Sequence, residues 1–195
     1  VELDIMERNG TIYQFKDKLF RYWIKYVLQK RLMEIDLDPG RQQKSFREEL
    51  NRSVAEFQAT SRKDLSTRMS ELFHCFDNES LSLNGRRYKL PVFSQITAVK
   101  LRSIAGTFID AIQGQCEEGT WLVALRRDPF TEGDINALLS ESKNMGSKPQ
   151  RLVVVSLSNL DENARVRALQ ERMWVWNEQE INSLMHLYDK PYVVR

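Results

Sequence analysis

Cysteine, histidine and long apolar runs are all scarce in this chain, and each scarcity excludes something. There are two cysteines, Cys75 and Cys116, in 195 residues. That is too few for a disulfide framework, and neither belongs to a Cys-x-x-Cys pair. The two histidines, His74 and His186, stand alone within helical patterns. A closed zinc site needs four ligands, and with Cys75 and Cys116 far apart and both histidines isolated, no zinc site is expected. No glycine-rich phosphate loop and no dinucleotide fingerprint occurs. Apolar stretches such as Leu152–Leu157 are far short of the about 20 residues that cross a bilayer, so no membrane partner is expected. Internal repeats and low-complexity tracts are absent as well. No Ser-His-Asp set can be placed, and Cys75 reads as a small core residue on the apolar side of a helix.

What is present is an ordinary globular balance. Charged residues make up 29% and hydrophobic residues 42%, with a formal net charge of +2, which excludes disorder and collagen. The length suits one large domain or two small ones. The chain opens at Val1, inside a strand-like pattern with no signal-peptide features ahead of it. It therefore reads as a piece of a longer, cytoplasmic protein.

Apolar residues alternate through Val1–Ile5 and Thr11–Phe15 on either side of Asn9-Gly10, the signature of a hairpin. Leu19, Phe20, Trp23, Ile24 and Val27 then recur at helical spacing, with Tyr22 and Tyr26 widening the apolar side. Asp36–Gly40 reads as a turn cluster. A long helix carrying Phe46, Leu50, Val54 and Phe57 follows from Ser45. Ser61 with Asp64 is expected to cap a second helix bearing Leu65, Met69, Leu72, Phe73 and Phe76. Residues 78–87 read as a loop with an Asn84-Gly85 turn.

Three strand candidates follow, Ile96–Leu101, Phe108–Ile112 and Thr120–Leu125, as an antiparallel meander turning at Glu117–Gly119. Thr131–Asn144 is helical. Arg151–Leu157 is β-branched throughout, as in a strand buried on both faces. Glu162–Glu171, Met173–Trp176 and Glu178–Tyr188 complete the pattern as helix, strand and helix. The order predicts an α/β domain with a mixed sheet flanked by helices.

Asp110 sits among Phe108, Ile109 and Ile112, where a carboxylate is costly unless paired or metal-bound. The meander around it resembles the core of the PD-(D/E)xK restriction-endonuclease-like fold. That fold has an Asp on one strand, a hairpin, and Glu-x-Lys on the next. Two acids there hold Mg²⁺ and the Lys steadies water or phosphate. The resemblance places Asp110 as the first acid, Ala124 at the second and Arg126 at the Lys. Alanine cannot ligate a metal, and arginine stays protonated at neutral pH. The resemblance thus implies a degenerate site (Asp110, Ala124, Arg126) with no confident catalytic set. Mg²⁺ would enter only if a migrated acid restored cleavage, from Glu117, Asp128, Asp134, Glu141 or helical Glu71. The plainer reading of Asp110 is an ion pair or hydrogen bond with Arg126 across the hairpin.

The stretch Gly10–Val27, with Tyr13-x-Phe15 and Asp17-x-Leu19-Phe20-Arg21-Tyr22-Trp23, resembles the end of the winged-helix domain that follows the core of archaeal and bacterial AAA+ (STAND-type) ATPases. Those proteins continue into an endonuclease-like domain, and Pro129-x-Thr131-x-x-Asp134 resembles a segment of that domain. The resemblance implies a winged-helix remnant, hairpin plus helix, over residues 1–35 and an endonuclease-like α/β domain over 36–195. ATP would bind upstream in the parent protein, and this chain carries no cofactor of its own. The upstream ATPase and winged-helix domains become partners.

Double-stranded DNA is the other expected partner. Arg8, Lys16 and Lys18 flank the wing, where they could touch phosphates. Arg86, Arg87, Lys89, Lys100, Arg102, Arg126 and Arg127 give residues 86–127 seven cations against three acids, an excess of +4 in a chain of +2. Such a face would hold phosphates without reading sequence, or serve as an ordinary charged sheet edge. A third possibility is a homo-oligomeric assembly module that uses Trp23, Trp174 or Trp176.

Overall fold

The valine run at 151–156 organises the molecule. In the computed structural model, which describes residues 5–28, 39–102 and 106–193, it forms the strand β8 (Arg151–Ser156) inside a five-stranded sheet of order β5-β6-β7-β8-β9. Its companions are β5 (Phe93–Arg102), β6 (Phe108–Cys116), β7 (Gly119–Arg126) and β9 (Trp174–Trp176). β5, β6 and β7 pair antiparallel, as the meander pattern predicts, whereas β7, β8 and β9 are parallel. Parallel neighbours require crossover connections, and helices supply them.

Those helices cover both faces. On one side α3 (Leu65–Phe73) and α6 (Glu178–Leu187) pack Leu72, Phe73, Ile181 and Leu184 against Val123, Val153, Val155 and Trp176. On the other, α4 (Glu132–Asn144) and α5 (Glu162–Gln170) pack Ile135, Leu138 and Ala164 against Leu122, Ala124 and Val154. β8 is thus buried on both faces, which is why its sequence does not alternate. The fold is a mixed α/β sheet flanked by helices, accompanied by small antiparallel hairpins.

Local chemistry fixes the helix starts. Thr131 and Asp134 make a reciprocal capping box for α4, and Asn177 and Glu180 make one for α6. α3 starts at Asp64, whose carboxylate accepts from the Thr67 amide at 2.8 Å. The expected Ser61–Asp64 pair does not form, because Ser61 ends α2 (Pro39–Ser61) and its hydroxyl donates back to the Gln58 carbonyl at 2.7 Å. α2 begins six residues before Ser45, at Pro39, whose fixed φ suits a first helical turn. Pro39 and Gly40 therefore belong to a helix, and the rest of the expected turn at 36–38 lies outside the described residues, as do residues 1–4 of the first hairpin.

Residues 78–87, read as a loop, largely belong to a hairpin. β3 (Glu79–Leu83) pairs with β4 (Arg86–Leu90) around Asn84-Gly85, both at positive φ (46° and 78°). Leu81, Leu83, Tyr88 and Leu90 point inward and Ser80, Ser82, Arg87 and Lys89 outward. The N-terminal hairpin, β1 (Met6–Asn9) and β2 (Ile12–Phe15), docks tip-first on β3. The Thr11 amide donates to the Ser80 carbonyl (2.8 Å) and the Ser80 amide to the Thr11 hydroxyl (3.1 Å). The Asn9 amide group accepts from the Ser82 amide (2.8 Å) and donates to the Ser82 carbonyl (3.1 Å). All four outward backbone groups of Ser80 and Ser82 are so engaged, which closes an edge otherwise open to pairing. α1 (Lys18–Trp23), capped by Asp17, continues as a π-helical turn over Ile24–Leu28, and Arg21 pairs with Asp189 beyond α6.

Trp176 is fully buried and Trp174 half-buried, packed edge-on against Tyr88 at 4.8 Å, so neither offers the exposed surface proposed for assembly. Trp23 does, at 44% exposure.

Candidate nucleic-acid interface

The position of each candidate side chain follows from one register. Cys116 faces Gly119 across a two-residue turn, so every even residue of β6 lies opposite an odd residue of β7. Asp110 is paired with Leu125, and Ala111 with Ala124. Directly opposed residues project from the same face, and neighbours along a strand from opposite faces. Asp110 therefore belongs to the face of Leu125 and Val123, covered by α3 and α6. Ala124 and Arg126 belong to the face covered by α4 and α5.

This arrangement corrects two readings. Asp110 is exposed rather than held in apolar company. Arg126 does not pair with it across the hairpin, because the two lie on opposite faces of the sheet. The Arg126 guanidinium instead donates to Asp134 at 2.5 Å. Asp134, only 2% exposed, also accepts from the Thr131 amide and hydroxyl, each at 2.9 Å. The Pro129-x-Thr131-x-x-Asp134 segment is thus a helix cap joined to an ion pair.

The other candidate acids are placed as poorly for a metal. Glu71 pairs with Lys63. Glu117 lies at the opposite end of the β6–β7 hairpin, about 20 Å from Asp110 at the usual strand rise. Asp128 and Glu141 are exposed, the first just past β7 and the second on the outer side of α4. Among the described residues no group of three or more His, Cys, Asp or Glu could hold a metal ion. The side chain facing Asp110 where a second acid would be needed is Leu125, so the donor set does not fit Mg²⁺.

The nine nominated cations, Arg8, Lys16, Lys18, Arg86, Arg87, Lys100, Arg102, Arg126 and Arg127, do not share one surface. Arg8 donates to the Gly10 carbonyl at 2.7 Å and lies over the Tyr13 ring at 5.4 Å. The hairpin tip beside it is occupied by β3. Lys16 is exposed, and the Lys18 side chain lies outside the described residues. Arg86 and Arg87 are neighbours on β4 and so project from opposite faces. Lys89 pairs with Glu118 at 2.5 Å; the contact raises the lysine's pKa and lowers the carboxylate's.

Three cations do converge. Lys100 faces Asp110 across β5–β6, and Arg102 faces Phe108 two positions on, so both extend the Asp110 face at its open end. Arg127 follows Leu125 by two residues and is exposed. Its charge acts on Arg68 of α3: burial first, then Arg127, lowers the Arg68 pKa from its ordinary value. Arg68 is 4% exposed and donates to the Pro191 carbonyl, pinning the segment after α6. Its place between Leu65 and Leu72, beside the apolar stripe, is the one signal in the sequence for its burial.

The isolated residues have local partners. His74 bonds the Ser70 carbonyl at 2.8 Å, and His186 meets the Tyr192 hydroxyl at 3.1 Å. Cys75 and Cys116 are half-buried free thiols donating to the Glu71 and Gly119 carbonyls. No helix among the described residues is long and apolar enough to cross a membrane.

No family model matches the chain, and no curated protein matches it. Among solved structures, EndoMS in apo form aligns at 17% identity with a TM-score of 0.34, over 44% of this chain and 39% of that one. The chain thus spans well under half of that structure.

Proposed function

We propose that this chain is a non-catalytic, endonuclease-like module that holds duplex DNA through phosphate contacts from Lys100, Arg102 and Arg127. The observation that carries the reading is the shared face of these cations around Asp110, opposed by Leu125 where a second metal-binding acid would have to stand. A site with cations and one acid can bind a phosphodiester but lacks the donors to hydrolyse it by metal. On the resemblance of Gly10–Val27, the module follows the ATPase core and winged helix of an AAA+-type protein. Fluorescence-anisotropy titration with blunt, unphosphorylated duplex at two salt concentrations tests the reading. Binding that weakens steeply with salt is expected; no binding at low salt sinks it.

A specific observation supports a second reading, a protein interface. Leu50, Val54 and Phe57 form an exposed stripe on α2, and Leu19 (78% exposed) and Trp23 do the same on α1. Such patches mark contact surfaces when contiguous. This reading predicts concentration-dependent oligomers in light scattering and no retention of duplex.

A further inference from the structure

Two clefts, of about 730 and about 690 Å³, open at the carboxyl ends of β8 and β9. Asn84, Ser158, Asn159 and Asn177 line both, so they are two lobes of one groove. Ligands of open α/β sheets bind at this end of the parallel strands, and each lobe has the volume of a small-molecule site.

The lobes differ in chemistry. The larger is walled by amides and hydroxyls, including Asn159 and Gln179, with the Tyr192 ring at its rim. Among the described residues lining it, Glu178 alone carries a formal charge at neutral pH. The smaller lobe holds Arg86 and Arg165 above an apolar wall of Leu160, Leu169, Met173 and Val175. Glu162 and Glu180 also line it, so its formal charges balance; both Glu180 oxygens are turned to the Asn84 side chain (2.7 Å) and the Asn177 amide (3.0 Å). The first turns of α5 and α6 open onto the groove and add the positive ends of two helix dipoles. Tyr88 contributes a phenol whose pKa burial raises.

We propose that this groove binds a nucleoside monophosphate, its phosphate between Arg86 and Arg165 and its ribose and base along the amide-lined lobe. Two guanidiniums suit a phosphate monoester. Amides, which both donate and accept, suit hydroxyls and base edges, and an aromatic rim suits a stacked ring. The absence of a P-loop is consistent, since that loop is built for a triphosphate and its metal ion. The site shares no cationic side chain with the Lys100, Arg102 and Arg127 face, although Ser158, which lines both lobes, donates to the Arg127 carbonyl at 2.8 Å. Its ligand has two sources, a free nucleotide or the 5′-phosphorylated end of a strand.

The test is titration of the full chain, by calorimetry and amide-resolved NMR, with four probes. These are a purine nucleoside 5′-monophosphate, the same nucleoside, inorganic phosphate, and a 5′-phosphorylated single-stranded oligonucleotide. Saturable binding of the monophosphate or the phosphorylated strand is expected, with the side-chain amides of Asn159 and Gln179 shifting. The tighter of the two identifies the source. Removing the phosphate weakens binding about tenfold or more, as does each of Arg86→Ala and Arg165→Ala. Both arginines are exposed, so these variants keep the wild-type fold, checked by circular dichroism. They leave unphosphorylated-duplex binding unchanged, which separates failure of this site from failure of the duplex face. The proposal is overturned if neither phosphorylated probe saturates the chain, if the double variant binds as wild type does, or if inorganic phosphate binds as tightly as the nucleotide.

Discussion

Replacing Gly10 by alanine should undock the N-terminal hairpin while leaving the sheet intact. Gly10 has φ +64°, and a Cβ built there would lie 1.7 Å from the Ser80 carbonyl oxygen. That atom is backbone of a paired strand and cannot swing aside. The left-handed conformation alone costs an L-residue about 1–2 kcal/mol. The overlap is larger than relaxation can absorb, so the tip must withdraw from β3. Withdrawal breaks the four hydrogen bonds to Ser80 and Ser82, each worth about 0.5–1.5 kcal/mol net, and toward the lower value here because the contact is solvent-exposed. The hairpin should thus lose about 2–4 kcal/mol of docking free energy.

Native-state hydrogen exchange reads this directly. In the native chain the Ser80 and Ser82 amides are held by Thr11 and Asn9 rather than by β4. They should exchange slowly in the wild type and about 30- to 1,000-fold faster in Gly10→Ala, with β8 amides unchanged. Asn9→Ala should release Ser82 more than Ser80. Unaltered protection of both amides in Gly10→Ala would refute the docking argument.

Asp134→Ala removes a helix cap and the partner of Arg126 together, and should cost about 2–4 kcal/mol in urea unfolding. The loss is smaller than for a fully buried pair because Arg126 can turn toward water. The Tyr188 phenol is driven well above its ordinary value, first by burial and then by the charge of Glu79, to which it donates at 3.0 Å. Its pKa is higher folded than unfolded, so its contribution to stability is complete below about pH 10 and falls as pH rises beyond that. Tyr188→Phe should flatten that alkaline decline in a series of denaturant melts. The triple variant Lys100→Ala/Arg102→Ala/Arg127→Ala should reduce the slope of log K against log salt for duplex by about 2.7; an unchanged slope would place the phosphate contacts elsewhere.

How much of this was legible in the sequence depended on what each pattern could encode. The five strands of the main sheet were, because Val153, Val154 and Val155 or Trp121–Leu125 have no other economical place than a buried strand. The β3–β4 hairpin reads as a loop although its alternation is complete. Ser80, Ser82, Arg87 and Lys89 between the apolar positions made the segment look polar, and their outward faces make sense only once the first hairpin covers Ser80 and Ser82. Side-chain spacing places Ala124 and Arg126 on a common face, which is correct. It cannot say whether Asp110 shares that face, because a shift of one residue in register reverses the answer. The register is set by the two-residue Glu117-Glu118 turn, and that turn puts Asp110 with Leu125. Asp134 stands out in the sequence as part of a motif, yet its use as a cap and partner for Arg126 depends on α4 lying against the end of β7. The groove was least legible of all. Its residues come from both hairpins, two strand ends, two helices and the segment after α6, and no spacing along the chain brings Arg86 to Arg165. What the sequence marked as one basic segment is, in three dimensions, divided: Lys100 and Arg102 extend the Asp110 face of the sheet, whereas Arg86 lines the groove.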